Sequence, residues 1–254
     1  MNDFKNYAVK HLNISSNTLN DYTKHQNKNI ESFDPSASLT PYILEEREMR
    51  MTQMDIFSRL MRDRIIWVAG AIDDSVSTVV QAQLLYLENT DPTKDVTLHL
   101  DTPGGSVKSG LSMVDMMDYV GYDIATVNTG MCASMGSVLL AAGTPGKRSS
   151  LRFSKVMTHQ VSHGSQGHIA DTRINQKEAE KYNYMLFQLL GKYTGKTWKE
   201  VLDFSKRDRW FTSDQAKDFG LIDEIILKGD QSSTSELLKG FDEYRKYTEQ
   251  DELS

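Results

Sequence analysis

The sequence predicts an α/β protein built on a mainly parallel sheet, and three observations carry that expectation. Apolar runs with strand character alternate with segments of helical period, the connections between them are too long for hairpins, and the turns that end two of the strands are rich in glycine. Composition sets the frame. At roughly 100–200 residues per domain, 254 residues allow one large domain or two small ones, and 39% hydrophobic residues suffice for a buried core. A net charge of −6 argues against nucleic acid as a main partner, since phosphate contacts need a basic face. A single cysteine excludes a disulfide framework and multi-cysteine zinc sites. No apolar run reaches the length of a membrane span, and the opening residues carry no apolar signal region and no arginine before Arg47. A cytoplasmic location, with no membrane partner, is the expectation.

Three zones follow along the chain. Residues 1–40 hold seven asparagines, no glycine and balanced charge without an apolar period, which reads as a polar leader or propeptide without fixed structure. Residues 229–254 carry seven acidic and three basic residues and read as a solvated acidic tail, with a short amphipathic helix over Glu236–Tyr247 as the alternative. Residues 41–228 form the α/β domain. Arg64–Gly70 is a continuous apolar run ended by glycine and suits a buried strand. Val76, Val79, Val80, Leu84 and Leu87 give a helix over Val76–Glu88. Asp95–Leu100 alternates with period two and stops at Thr102-Pro-Gly-Gly105, a tight turn. A helix over Ser106–Val120, a strand over Asp123–Val127 and a helix over Ser134–Ala142 follow, the last two linked by Gly130–Gly136. Lys155–His159 is a short strand, and a glycine-containing loop over 161–168 leads to a helix of about 25 residues that ends near Gly195. A helix over Trp198–Lys206 and a strand over Leu221–Leu227 close the domain. There is neither a Gly-x-Gly-x-x-Gly pattern nor a Walker loop, so no nucleotide site is expected.

In such folds the turns after strand ends carry chemistry, because backbone amides point outward there. Ser134 stands at a strand-to-helix corner, where a serine serves either as a helix N-cap or as a nucleophile. A nucleophile needs a base. Of six histidines, only His159 ends an apolar strand; His11 and His25 lie in the polar leader, His99 sits on a strand, and His163 and His168 lie in the glycine loop. The His159/His163 spacing falls on a strand end and a loop, not on one face of a helix, so no metal is expected. For a carboxylate to orient the imidazole, Asp171, Asp203, Asp208, Asp218 and Asp223 are all candidates. The α/β-hydrolase elbow Gly-x-Ser-x-Gly is absent, since Cys132 occupies its first glycine position.

Taken together, Thr102-Pro-Gly-Gly105, Gly130-Met-Cys-Ala-Ser-Met-Gly136, Met157-Thr-His-Gln160, Arg207-Asp-Arg209 and Asp55-Ile-Phe-Ser-Arg59 resemble the motifs of the ATP-dependent Clp protease proteolytic subunits (ClpP), in the right order, across residues 41–228. The resemblance implies a ββα spiral shared with crotonases, and a protruding handle of one strand and one long helix. It implies a serine endopeptidase that hydrolyses unfolded polypeptides, with Ser134 as nucleophile, His159 as base and Asp208 as orienter, and with the Gly105 and Met135 amides as oxyanion hole. It further implies a homo-oligomer of two stacked heptameric rings fed by an AAA+ Clp unfoldase, with ATP used by that partner and no cofactor in this chain. Gln166, Gly167, Asp171 and Arg207 would serve the handle and ring contacts. The chain departs from the family at Val161, where proline is usual, which predicts looser chain after His159 because a fixed φ is lost. It departs again at Thr97 and His99, where aromatic residues usually form the unfoldase docking cleft. A weakly active ring partner and a crotonase-type acyl-CoA enzyme are the competing readings.

Overall fold

The computed structural model describes residues 42–47, 50–164, 166–229 and 232–251. The leader expected over residues 1–40 lies outside them. The chain divides into two compact units, residues 1–56 and 57–254. In the first, β1 (Tyr42–Arg47) pairs antiparallel with β2 (Arg50–Asp55).

The helix α1 (Ile56–Arg62) leads into the second unit, which then alternates as the sequence predicts: β3 (Ile65–Ala69), α2 (Asp74–Thr90), β4 (Val96–Thr102), α3 (Val107–Tyr119), β5 (Ile124–Ala133) and α4 (Met135–Ala141). Asp73 caps α2 by accepting the Val76 amide at 2.8 Å. Val80, Leu84 and Leu87 turn one helical face into the core. All seven residues of α4 are buried, so this short helix runs through the centre of the unit. The strand β5 is longer than expected: Gly130–Ala133, read as a linker, remains extended. The reason lies in its partners. Thr126–Asn128 pair with β6 (Arg148–Leu151), while Met131–Ala133 pair with β7 (Lys155–Thr158). A register shift between Leu100 and Thr102 lets β4 follow it.

The sequence analysis names no counterpart for β1, β2 or α1, and within residues 64–228 three more elements escape the pattern because each is short and mixed in polarity: β6, β8 (Arg209–Thr212) and the helix α7 (Ser213–Phe219). The sheet order is β3-β4-β5-β6-β9, with β9 (Glu224–Ile226) at one end and β7 branching from β5. These pairs are parallel, as expected, but β8 runs antiparallel to β7, with Thr158 opposite Arg209. The long helix α5 (Ile169–Thr194) ends at Gly195 in the left-handed conformation, φ 71°. Its buried residues are Leu186, Phe187, Leu190 and Gly191, so its N-terminal half contributes none to the core. Ahead of it no strand forms among the described residues of 159–168, so the extended segment expected around Gln166-Gly167 is irregular in the single chain. The helix α6 (Trp198–Phe204) starts at a capping box, with the Thr197 and Glu200 side chains each bonded to the other's backbone amide.

In the acidic tail, α8 (Thr234–Leu237) docks, with the Thr234 hydroxyl on the Arg152 carbonyl and the Ser235 amide on Asp214. A second helix, α9 (Phe241–Asp251), begins after Gly240. Among the described residues no helix is long and apolar enough to cross a membrane.

Candidate active site

Ser134 sits between the end of β5 and the start of α4 with φ 52° and ψ −121°, a conformation a non-glycine residue adopts only under constraint. The constraint comes from both of its peptide groups. Its amide donates to the Met157 carbonyl at 2.9 Å, and its carbonyl accepts the Ser137 amide at 3.0 Å and the Ser137 hydroxyl at 2.6 Å. Such strain costs about 1–3 kcal/mol and persists where the surroundings over-determine it. The capping role is not taken up: the Ser134 side chain makes no bond to the helix amides. Its Oγ lies instead 2.8 Å from His159 Nε2.

His159 follows β7 directly, and its Nδ1 lies 3.2 Å from Asp208 Oδ1. Of the five aspartates open as orienters, Asp208 is the one brought to the imidazole, because the antiparallel pairing of β7 with β8 sets Thr158 against Arg209 and so places the preceding loop beside the histidine. Two further bonds clamp the segments together. The Ser205 hydroxyl donates to Thr158 Oγ1 at 2.9 Å, with both residues buried, and Gln160 Nε2 donates to the Lys206 carbonyl at 3.2 Å. Asp223, another candidate, is committed elsewhere: its carboxylate takes the Arg148 guanidinium, whose neighbouring NH also reaches the Tyr193 carbonyl. That guanidinium holds the Asp223 carboxyl below its ordinary range.

The turn Thr102–Gly105 lies against Ser134. The Gly104 amide donates to Thr102 Oγ1 at 3.0 Å, and a Cβ on Gly104 would stand 2.8 Å from Ser134 Cβ and 2.9 Å from the Met135 nitrogen. Gly105 forms a parallel bridge with Ile72, in which the Gly104 carbonyl and Ser106 amide make the bonds. In that geometry the Gly105 amide itself faces away from Ile72. Gly105, Ser134, Met135 and His159 share one cleft of about 210 Å³, whose wall also includes Val138, Leu186, Phe187 and Leu190.

The residues assigned to assembly sit apart from this cleft. Gln166 and Gly167 are exposed in the irregular segment, Asp171 is exposed in the first turn of α5, and Arg207 is exposed beside Asp208. At Val161, where looser chain is expected, the structure supplies an anchoring contact. Its amide, which a proline would lack, donates to Asn183 Oδ1 at 2.9 Å. Thr97 lies opposite Ile65, while Trp67, opposite His99 in the β3–β4 register, stacks on the imidazole at 5.0 Å between ring centroids. Burial lowers the pKa of His99. The signal that points to Trp67 is its place in the apolar run over Arg64–Gly70. Among the described residues, no group of three or more His, Cys, Asp or Glu side chains gathers as a metal site would need.

Residues 46–229 match the family described as Clp protease. The ATP-dependent Clp protease proteolytic subunit of Bacteroides fragilis is 45% identical over 228 residues, 90% of this chain and 100% of its own length. Its counterpart from Porphyromonas gingivalis is also 45% identical over 228 residues, covering 90% of this chain and 99% of that protein. The subunit of Bacteroides thetaiotaomicron is 43% identical over the same span, 90% of this chain and all of its own.

Proposed function

This chain belongs to the Clp protease family and is a protease, and from that premise we propose that it cleaves peptide bonds as a serine endopeptidase through Ser134, His159 and Asp208. The observation that carries the reading is the pair of contacts made by one imidazole, 2.8 Å to Ser134 Oγ and 3.2 Å to Asp208 Oδ1. Serine is a weak nucleophile at its own pKa and needs an acceptor at hydrogen-bond reach. His159 Nε2 takes the hydroxyl proton as Oγ attacks the scissile carbonyl carbon. Asp208 holds the Nδ1–H tautomer and stabilises the imidazolium that forms. The amides of Gly105 and Met135 donate to the tetrahedral oxyanion, and each such donor is worth about 2.7–4 kcal/mol in the transition state. His159 then returns the proton to the leaving amine, and water repeats the sequence on the Ser134 ester. The strained backbone at Ser134 supports this role, since it holds Oγ toward the histidine and away from the helix it precedes.

The cleft wall of Val138, Leu186, Phe187 and Leu190 suits an apolar side chain next to the cleaved bond. The substrate class in this reading is unfolded polypeptide delivered by an AAA+ Clp unfoldase. ATP is spent by that partner, in the cytoplasm where it is available, and no cofactor is needed here. We extend the proposal to the family spiral and to a homo-oligomer of two stacked heptameric rings, with 161–168 and α5 as handle. Supporting this, Ile169 is 73% and Ile174 60% exposed on the half of α5 that gives nothing to the core. Gln166, Gly167, Asp171 and Arg207 belong to those contacts, and residues 1–40 to a leader removed on maturation.

The test is Ser134→Ala in the full chain. Hydrolysis of small fluorogenic peptides and labelling by a fluorophosphonate should both be lost, while the number of subunits in the assembly is unchanged. An alanine variant that still hydrolyses the peptides would refute the nucleophile assignment.

A further inference from the structure

We infer that Asn183 is a positioning residue for His159, tying the long helix α5 to the segment that carries the base. The inference rests on the reading of Ser134 and His159 as nucleophile and base. Asn183 lies on the helix face that buries Leu186, Phe187 and Leu190, three, four and seven residues further on. Helical period calls for an apolar side chain there, and a carboxamide on such a face is costly unless paired. It is paired: Oδ1 accepts the Val161 amide at 2.9 Å in a partly buried setting. Because a backbone N–H only donates, the oxygen and not the nitrogen of the carboxamide must face it.

The bond matters because of where it falls. The ladder of β7 ends at Thr158, and among the described residues of 159–164 no strand pairing continues. The segment is held chiefly by side chains. Ser205 on Thr158 and Gln160 on Lys206 tie it to the Asp208 loop. Asn183 on Val161 ties it to α5, two residues from His159. The imidazole has to keep contacts of 2.8 Å and 3.2 Å at the same time, so release of one side of its segment moves the ring out of line with one partner or the other. The same helix supplies three residues of the cleft wall, so a change that merely shifted α5 would weaken substrate binding, whereas a change acting through His159 slows turnover.

Asn183→Leu and Asn183→Asp in the full chain separate these cases, with Ser134→Ala beside them. Leucine satisfies the helix face and removes the acceptor; aspartate keeps an oxygen at the same place. We expect Asn183→Leu to lower kcat for a fluorogenic peptide by about 5–30-fold, with KM within about twofold, and to slow fluorophosphonate labelling in proportion. Asn183→Asp should stay within about threefold of the parent in kcat, as expected for a retained acceptor. Asn183→Ala, which favours the helix, carries the same expectation as leucine should the leucine chain not assemble. Unchanged kcat and labelling in the leucine and alanine variants, an equal fall in the aspartate variant, or a loss confined to KM would each overturn the inference. If Ser134→Ala remains active, the underlying nucleophile reading fails. If it is inactive while Asn183→Leu turns over normally, only the positioning role fails.

Discussion

Replacing Gly104 by alanine tests how tightly the turn after β4 is built against Ser134. Gly104 has φ +87°, and a Cβ there would meet the Ala133 carbonyl oxygen at 2.5 Å, Ser134 Cβ at 2.8 Å and the Met135 nitrogen at 2.9 Å. None of these is the free end of a flexible side chain. The left-handed conformation costs a side-chain-bearing residue about 1–2 kcal/mol. Overpacking of a closed site adds about 1–3 kcal/mol. The sum, about 2–5 kcal/mol, corresponds to a fall in Tm of about 5–15 °C for a domain of this size. The activity loss should exceed the stability loss, since the crowded atoms flank the nucleophile and one proposed oxyanion donor. A displacement approaching 1 Å is worth about 10²-fold in rate. Gly146 supplies the control, because its φ is +86° but nothing lies within 4 Å of a Cβ built there. Gly146→Ala therefore carries the conformational cost alone, lowers Tm by about 2–8 °C and leaves peptide hydrolysis intact. Thermal melts and initial rates on the three proteins decide the matter. Equal melting temperatures for the two alanine variants, with Gly104→Ala as active as the parent, would refute the close-packing argument.

Asp223→Asn should destabilise the chain by about 3–5 kcal/mol, because it leaves the Arg148 guanidinium, 8% exposed, without its charge partner. The folded pKa of Asp223 is lowered, so its contribution is present above the unfolded value near pH 3.9 and is lost as pH falls through it toward the folded value. Urea titrations between pH 3 and 7 should thus show a shallower acid dependence in Asp223→Asn; identical slopes would remove the ion pair from the account. Cys132 is fully buried, with its thiol pKa pushed up by burial and then by the Asp101 charge. Iodoacetamide should leave it unmodified in the native protein and alkylate it in denaturant, as read by intact mass; rapid native labelling would mean that β5 opens beside Ser134.

Much of the scaffold was legible from local pattern. The run over Arg64–Gly70, the period of Val80, Leu84 and Leu87, and the glycine that ends α5 each lie in one stretch of chain, and nearest-neighbour physics is enough to read them. The four-residue strands β6 and β8 were not, because Ser149-Ser150 and the half-exposed Trp210 carry no period and form strands only through their neighbours. The same division runs through the site. Ser134 and His159 stand at strand ends next to recognisable turns, so their candidacy could be argued from residue type and place.

Residue type left five aspartates open; the motif resemblance points to Asp208, and the fold makes the same choice. That choice is made by the pairing of Thr158 with Arg209, 51 residues along the chain, and by the guanidinium of Arg148 that draws Asp223 to another part of the fold. Val161 shows the same in reverse: read alone it suggests a looser chain, yet 22 residues later Asn183 offers the acceptor that its amide needs. Residue type determined which groups were capable of the chemistry. Only the folded chain decided which of them came within hydrogen-bond reach, because that distance is set by strand pairing and helix packing between segments far apart in sequence.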